Sequence, residues 1–224
     1  MRIWVTRSEP GASVLAEALE TEGHSVVTAP VLTVVKRPFA VPQMRYEIGV
    51  VLSVHGVRFG GSLLQRVDKV FAIGAQTQTA LEQLGVASRI PPQATSESLI
   101  EALGDVRGRT VLIVSGRGGR GVLQSELTSR GATVERLDVY ERNATAPISL
   151  AAQTIDAIVV SSGDGFEYAV QVWFAAGGRA DVPVLVPSGR VAGMARKLGV
   201  NNVHDCLGAG SEAVLNVLRQ LADE

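Results

Sequence analysis

Short runs of β-branched and apolar residues alternate with amphipathic stretches of helical length along the whole chain. The first unit joins residues 2–6, which have the composition of a strand, to residues 14–19, in which apolar side chains recur at helical spacing. The run from Ile48 to Val54 is almost continuously apolar, as expected for a strand covered by helices on both faces. This alternation predicts an α/β fold built on parallel sheets.

The second half of the chain repeats landmarks of the first half in the same order. Thr6-Arg7-Ser8 corresponds to Ser115-Gly116-Arg117, and the helix ending at Leu84-Gly85-Val86 corresponds to one ending at Leu198-Gly199-Val200. We therefore predict two similar α/β domains of ~100 residues that face a shared cleft. Taken alone, the repeat would divide the chain near Arg109.

The composition narrows the function classes. Of the 224 residues, 46% are hydrophobic and 19% are charged, and the formal net charge is -1, which argues against disorder and against general nucleic-acid binding. No apolar run approaches the roughly 20 residues that span a bilayer, and the first residues turn polar at once, so we expect a cytoplasmic protein. Cys206 is the only cysteine, which excludes an intrachain disulfide and a cysteine-based metal cage.

Hydroxyl side chains recur where predicted strands lead into helices. The carboxyl ends of parallel strands line the ligand crevice and helix N-termini present free N–H groups, so as a set these side chains predict an anion-binding edge. Each one alone is more simply explained as an ordinary helix cap. Three arginines lie in the same segments, in a chain with 18 Arg and 3 Lys, and guanidinium groups there can pair with carboxylates or phosphates. The residues are Thr6, Ser53, Thr77, Ser115, Ser161, Ser162 and Ser188, with Arg7, Arg117 and Arg190.

A glycine-rich segment offers a different interpretation. Residues 116–121 read Gly-Arg-Gly-Gly-Arg-Gly, which formally satisfies the G-x-G-x-x-G pattern of dinucleotide sites, with Glu135 and Asp138 about 20 residues further on. The motif opens the second half of the chain instead of its first strand, and the first half has no equivalent. We therefore favour an anion-binding turn and keep a nucleotide site as the alternative.

Conventional catalytic patterns are absent from the sequence. His24, His55 and His204 have no metal-ligand spacing, and no zinc-protease, nucleophile-elbow or Walker pattern occurs. Cys206 has no neighbouring histidine or CxxC partner, which favours a buried structural thiol over a nucleophile. Tyr140 lies in a predicted crossing between the domains, where a phenol can act as general acid to a poor leaving group or simply anchor the linker.

Several short segments occur along the chain in a characteristic order and spacing. Each segment is a weak signal alone, and only the set as a whole is specific for a family. The segments are Thr6-Arg7, Pro30-Val31-Leu32, Leu52-Ser53-Val54-His55-Gly56-Val57, Ile73-Gly74-Ala75-Gln76-Thr77, Val139-Tyr140-Glu141-Arg142, Val160-Ser161-Ser162-Gly163 and Ser188-Gly189-Arg190. With them the chain resembles the uroporphyrinogen-III synthase family over essentially its whole length. It departs from the family pattern at His55-Gly56, where Asn-Ala is usual, and at Arg190, where other members have Thr.

The resemblance implies two flavodoxin-like parallel-sheet α/β domains joined by a two-stranded connector, with a cleft between them. It assigns residues 1–36 and 144–224 to a discontinuous first domain and residues 37–143 to an inserted second domain. The extended, proline-containing stretches 30–38 and 137–147 fit these crossings, so we prefer this division to the one near Arg109.

The resemblance also implies the chemistry. Members of the family close hydroxymethylbilane, a linear tetrapyrrole with eight carboxylates, to uroporphyrinogen III with inversion of ring D and loss of water. Tyr140 matches the position of the family's candidate acid, and Ser53, Thr77 and Ser161 match other cleft positions. The strand-end residues Arg7, Arg117, Ser162, Ser188 and Arg190 complete the expected substrate-binding set.

We further expect a monomer that uses no metal and no cofactor and that binds neither nucleic acid nor membrane. The alternative function is that of a non-catalytic, two-lobed module that binds an anion or a nucleotide, because two α/β lobes around a cleft also describe many ligand-binding proteins.

Overall fold

The chain folds into two α/β units, seen here in a computed structural model that describes residues 1–118, 121–145 and 149–222. The first unit comprises Met1–Thr33 and Asn143–Glu224, and the second comprises Val34–Arg142. The strands in chain order are β1 Arg2–Val5, β2 Ser25–Thr28, β3 Leu32–Lys36, β4 Ile48–Val51, β5 Lys69–Ala72, β6 Thr110–Gly116, β7 Thr133–Ala144, β8 Ala157–Val159, β9 Val184–Val186 and β10 Val203–Asp205. The α-helices are α1 Gly11–Thr21, α2 Val54–Gly60, α3 Ala75–Glu82, α4 Ser96–Leu103, α5 Val122–Ser129, α6 Gly163–Ala175, α7 Gly189–Lys197 and α8 Ser211–Ala222, with 3-10 helices at Gly61–Arg66 and Ala152–Thr154.

The sheet of the first unit has the strand order β2-β1-β8-β9-β10, and all of its strands are parallel. Counted within the unit, this is the order 2-1-3-4-5 of flavodoxin-like folds. Successive residues of β1 point to opposite faces: Ile3 packs with Leu15 of α1, whereas Trp4 packs with Phe166 and Trp173 of α6. Helices therefore cover both faces, which explains why these strands are apolar along almost their whole length.

The sheet of the second unit has the order β3-β7-β6-β4-β5, with β4, β5, β6 and β7 parallel. Its parallel strands repeat the order 2-1-3-4, and β3 takes the remaining edge. Val51 and Val114 lie in a cluster with Val57 of α2, and Val50 lies in the opposite cluster with Leu99 of α4. Both sheets are thus doubly wound, and the predicted fold class of two parallel-sheet α/β domains is confirmed.

The chain leaves the first unit along β3 and returns to it along β7. The Arg37 N–H donates to the Val139 carbonyl at 2.9 Å, and the Thr33 hydroxyl donates to the Asn143 carbonyl at 3.3 Å. Partner numbers fall as the numbers in β3 rise, so the two strands are antiparallel.

A division near Arg109 would separate β4 from β6, although these strands pair along four consecutive residues. The expected crossing at 137–147 includes Pro147, which lies outside the described residues.

One local expectation is wrong. The strand expected over residues 48–54 ends at Val51, because Ser53 caps a helix that begins at Val54. Helix α4 is capped by Thr95, whose extended backbone lets its side chain accept the Ser98 N–H at 3.1 Å. No helix in the described part of the chain is long and apolar enough to cross a bilayer.

Candidate functional site

Each sheet has a point at which the helices change sides. In the first unit α1, which follows β1, packs on one face, whereas α6, which follows the neighbouring β8, packs on the other. In the second unit the same change occurs between β4, which leads into α2, and β6, which leads into α5. Such switch points open a crevice at the carboxyl ends of the strands, where ligands of doubly wound folds bind. Most of the predicted site residues lie at or next to these two points.

Ser53 follows β4 and begins α2. Its backbone is extended, and its Oγ accepts the Gly56 N–H at 3.0 Å, which satisfies one of the free donors of the first helical turn. The side chain is only partly buried. This serine therefore has the capping role expected of such residues and remains partly open to solvent.

Tyr140 reaches Ser53 because of an irregularity in the β6–β7 pairing. Ser115 pairs with Asp138, but the next residue, Gly116, pairs with Tyr140, so β7 carries one extra residue. A β-bulge of this kind re-aims the side chains that follow it. The Tyr140 hydroxyl then lies 2.8 Å from Ser53 Oγ, and Tyr140 as a whole is only 2% exposed.

Gly116 makes room for the tyrosine ring. A Cβ added at this position would lie 2.5 Å from Cε2 and Cζ of Tyr140, closer than real Cβ atoms approach other heavy atoms. A side chain at residue 116 is therefore incompatible with the observed ring position.

Arg142 also contacts the Tyr140 phenol, through both its hydroxyl oxygen and its ring. Its Nη2 donates to the Tyr140 hydroxyl oxygen at 3.1 Å, and its Cζ lies 5.1 Å from the ring centroid. The rings of His55 and Phe59 lie 5.5 and 6.4 Å from the ring of Tyr140. The phenol oxygen therefore sits between a hydroxyl and a guanidinium, while aromatic groups enclose the ring.

Arg117 lies at the same edge of the sheet but faces outward. Its backbone N–H donates to the Tyr140 carbonyl at 2.7 Å, and its Nη1 lies 3.4 Å from Glu141 Oε2. Arg37 Nη1 lies 3.8 Å from the same carboxylate oxygen. Two arginines thus share one acid, which leaves positive charge available at this edge.

Arg136 fixes the loop that carries Arg117. Its Nε lies 2.9 Å from Asp138 Oδ1, which also accepts a hydrogen bond from Ser115 at 3.1 Å. Its Nη2 donates to the carbonyls of Gly116, at 2.9 Å, and of Gly118. Neither Arg136 nor Arg142 is among the site residues predicted from the sequence. Their spacing could have indicated them, because Arg136 is two residues from Asp138 and Arg142 is two residues from Tyr140. Residues two apart in a strand lie on the same face of the sheet.

Thr77 lies in the first turn of α3, after β5, and is 4% exposed. Its backbone N–H donates to the Gly74 carbonyl at 3.1 Å. The structure therefore puts Thr77 one strand away from β4 at the same edge of the sheet, largely shielded from solvent.

In the first unit, Arg7 follows β1 at the switch point. Its Nη1 donates to the Ala209 carbonyl at 3.1 Å, and the guanidinium lies against Gly11, where an added Cβ would come within 2.6 Å of Nε. Burial lowers the pKa of Arg7 below its ordinary value. This half-buried cation has no carboxylate within 4 Å among the described residues.

The strands next to β1 bring further predicted residues to this edge. Ser161 follows β8, and the next residue, Ser162, caps α6 by accepting the Gly165 N–H at 3.1 Å. Ser188 stands at the start of α7 and makes no side-chain capping bond there. Arg190 lies over Gly163, where an added Cβ would lie 3.0 Å from its Nη2. Arg190 therefore connects the start of α7 to the start of α6.

Comparisons with known proteins agree on a single family. A family model described as "Uroporphyrinogen-III synthase HemD" matches residues 13–205. The chain belongs to the uroporphyrinogen-III synthase family. It is 28% identical to the uroporphyrinogen-III synthases of Escherichia coli and Salmonella typhimurium, and each alignment covers 98% of this chain and 100% of the relative.

Solved structures of this family have the same fold. A crystal structure of a mutant uroporphyrinogen III synthase from Thermus thermophilus superposes with a TM-score of 0.62 at 21% identity and covers 100% of both chains. The crystal structure of uroporphyrinogen-III synthetase from Helicobacter pylori gives a TM-score of 0.66 at 12% identity and covers 98% of both chains.

Within this family member, the glycine-rich segment 116–121 has structural uses. Gly116 accommodates the Tyr140 ring, and Gly118 and Gly121 have φ values of 90° and 65°, a conformation that glycine adopts without strain. Gly119 and Arg120 lie outside the described residues. Packing and turn geometry thus account for three of the glycines that suggested a dinucleotide site.

Proposed function

We propose that this chain is a cyclising lyase of tetrapyrrole biosynthesis that converts hydroxymethylbilane to uroporphyrinogen III. The family match supports this reaction, since it covers most of the chain. The observation that carries the assignment to particular residues is the phenol of Tyr140, which lies 2.8 Å from Ser53 Oγ and 3.1 Å from Arg142 Nη2. A guanidinium that donates to the phenol oxygen stabilises negative charge there, as an acid catalyst requires after it releases its proton.

The reaction begins when the substrate hydroxyl leaves as water. A proton from the acid group accompanies the breaking C–O bond, and the remaining carbon becomes the electrophilic carbon of an N-protonated azafulvene. The substituted position of ring D attacks this carbon to form a spiro intermediate, which fragments and closes again with ring D inverted. The substrate can also cyclise unaided to the wrong isomer, so the enzyme's main task is to hold ring D in the orientation that leads to isomer III.

The substrate carboxylates require cationic and N–H donors. We propose that Arg7, Arg190 and Arg117 supply guanidinium groups, since the first two have no carboxylate partner among the described residues and the third shares Glu141 with another arginine. Thr77, Ser161, Ser162 and Ser188 add hydroxyls and helix N-termini at the carboxyl edges of the sheets. Because many donors share the ligand, we expect the loss of any single binding side chain to weaken turnover gradually.

The remaining expectations belong to the same proposal. The enzyme acts as a cytoplasmic monomer on a small-molecule substrate without a metal or cofactor, and residues 1–36 with 144–224 and residues 37–143 act as its two domains.

The test is incubation of the purified protein with freshly generated hydroxymethylbilane, followed by oxidation and separation of the porphyrin isomers. We expect isomer III to predominate, whereas a heat-denatured sample yields only isomer I from spontaneous closure. Isomer I alone from the folded protein would contradict the proposal and favour a non-catalytic binding module.

A further inference from the structure

The hydrogen bonds around Tyr140 identify which of two hydroxyls, that of Ser53 or that of Tyr140, can donate a proton to a ligand. We infer that Ser53 delivers the proton to the leaving hydroxyl and that Tyr140 replenishes it, so the two residues form a relay. This inference rests on the proposed function. It differs from the simpler view, in which the phenol itself contacts the substrate.

Ser53 and Tyr140 each have a further hydrogen-bond partner that can only donate. The Gly56 N–H donates to Ser53 Oγ at 3.0 Å, and the Arg142 guanidinium donates to the Tyr140 oxygen at 3.1 Å. Each hydroxyl therefore uses one lone pair as an acceptor, and each keeps one O–H to donate. The 2.8 Å contact between Ser53 and Tyr140 uses one of these two O–H groups. The other O–H is left to donate elsewhere.

Burial decides which O–H is left over. If Ser53 donated to Tyr140, the phenol proton would remain on a residue that is 2% exposed. A buried donor without a partner is destabilising, because it gives up its hydrogen bonds to water and gains none in exchange. If Tyr140 donates to Ser53, the leftover proton is on Ser53, which is partly exposed and can donate to water or to a ligand. The second arrangement is favoured, and it directs the serine proton outward.

In the relay, the bond between the substrate carbon and its hydroxyl oxygen breaks, and both electrons stay with the oxygen. The oxygen takes the Ser53 proton and leaves as water, and Ser53 takes the Tyr140 proton. The phenolate that results is paired with the Arg142 guanidinium. Tyr140 regains a proton through Ser53 when the free α-carbon of ring D loses its hydrogen at the final closure. The cycle therefore ends with both residues in their starting state.

The decisive variants separate the helix cap from the relay. Asn is as good a helix cap as Ser, but its amide cannot pass a proton on, so Ser53→Asn keeps the capping acceptor and breaks the relay. Ser53→Thr keeps both the cap and a hydroxyl. We expect Ser53→Asn and Tyr140→Phe to lower kcat to a similar extent, by about 10²-fold, the lower end of the usual range for general acids. We expect Ser53→Thr to keep most of the wild-type kcat.

A matched control tests the cap alone. Thr95 caps α4 in the same unit by accepting the Ser98 N–H at 3.1 Å, so Thr95→Asn makes the same kind of replacement away from the site. We expect this control to retain wild-type kcat, and circular dichroism checks that all variants are folded.

The double variant supplies the clearest outcome. If Ser53 and Tyr140 act in one chain, Ser53→Asn with Tyr140→Phe is no slower than either single variant, because the first break already stops the transfer. Losses that multiply, or a kcat of Ser53→Asn within threefold of wild type while Tyr140→Phe is slow, would overturn the relay. Formation of isomer III by the wild type is read in the same assay, so a failed relay and a failed assignment of function give different results.

Discussion

Gly116→Ala is a small change that the structure predicts to have a large effect on the candidate acid. The added methyl would lie 2.5 Å from two ring atoms of Tyr140, whereas ordinary van der Waals contact begins near 3.4 Å. The ring must therefore retreat by about 0.9 Å, or the backbone of β6 must move by a similar amount. Neither shift is free, because Tyr140 is buried and its hydroxyl is held at 2.8 Å by Ser53.

The expected cost follows from overpacking and from the weakened hydrogen bond. Forcing an extra methyl group into a packed site costs about 1–3 kcal/mol, and a lost hydrogen bond costs about 1 kcal/mol more. We expect a loss of about 3 kcal/mol in the free energy of unfolding, which in a chain of this size lowers Tm by about 6–12 °C. Because the ring leaves its place beside Ser53, we also expect kcat to fall by about 10²-fold.

Calorimetry and the isomer assay measure the two effects, and Gly85→Ala is the control. Gly85 has a φ of 73°, and a Cβ added there would meet no other atom within 4 Å, so alanine introduces backbone strain of about 1–2 kcal/mol without touching Tyr140. We expect the control to lose stability but keep its kcat. A Gly116→Ala protein with wild-type stability and turnover would refute the packing argument.

Three further changes test other parts of the structure. Gly11→Ala displaces the Arg7 guanidinium, so we expect KM to rise about tenfold with little change in kcat. Steady-state kinetics measures both constants, and an unchanged KM would exclude Arg7 from substrate binding. Gly193→Ala lies in α7 with open space around it and should raise Tm by about 2–4 °C, since alanine favours helices by up to about 1 kcal/mol. Burial raises the pKa of the Cys206 thiol from 9.0 to about 11, so the thiol keeps its proton to higher pH in the folded chain than in the unfolded chain. The free energy of unfolding therefore falls as pH rises from 9 towards 11. Urea unfolding at several pH values should show a steeper decline in that window for the wild type than for Cys206→Ala.

Local sequence patterns were sufficient for much of the fold. Strands that are covered on both faces must be apolar along their length, so β1, β4, β8 and β9 are visible as short continuous runs. The serines that follow β4 and β8 were likewise visible, because a helix start needs a capping acceptor and Ser supplies one. Both signals depend on residues a few positions apart.

The contacts of Tyr140 had no local signal. Ser53 and Tyr140 are 87 residues apart in the chain. They meet because β4 and β7 both flank β6, and because a bulge in β7, opposite the step from Ser115 to Gly116, shifts the β6–β7 pairing by one residue. The division near Arg109 failed for the same reason, since it ignored the pairing of β4 with β6. Strand pairing is chosen by burial of whole faces, which periodicity within one segment does not report.

The sequence alone therefore determined the α/β class, the strand ends that carry hydroxyl and guanidinium groups, and the family to which the chain belongs. Only the tertiary structure decided which of those groups share a hydrogen bond, and it added Arg142 and Arg136 to them. The physical reason is that helix caps and apolar runs arise from interactions within one segment. The environment of the Tyr140 hydroxyl depends instead on three strands and a helix N-terminus that come together only when the sheet forms.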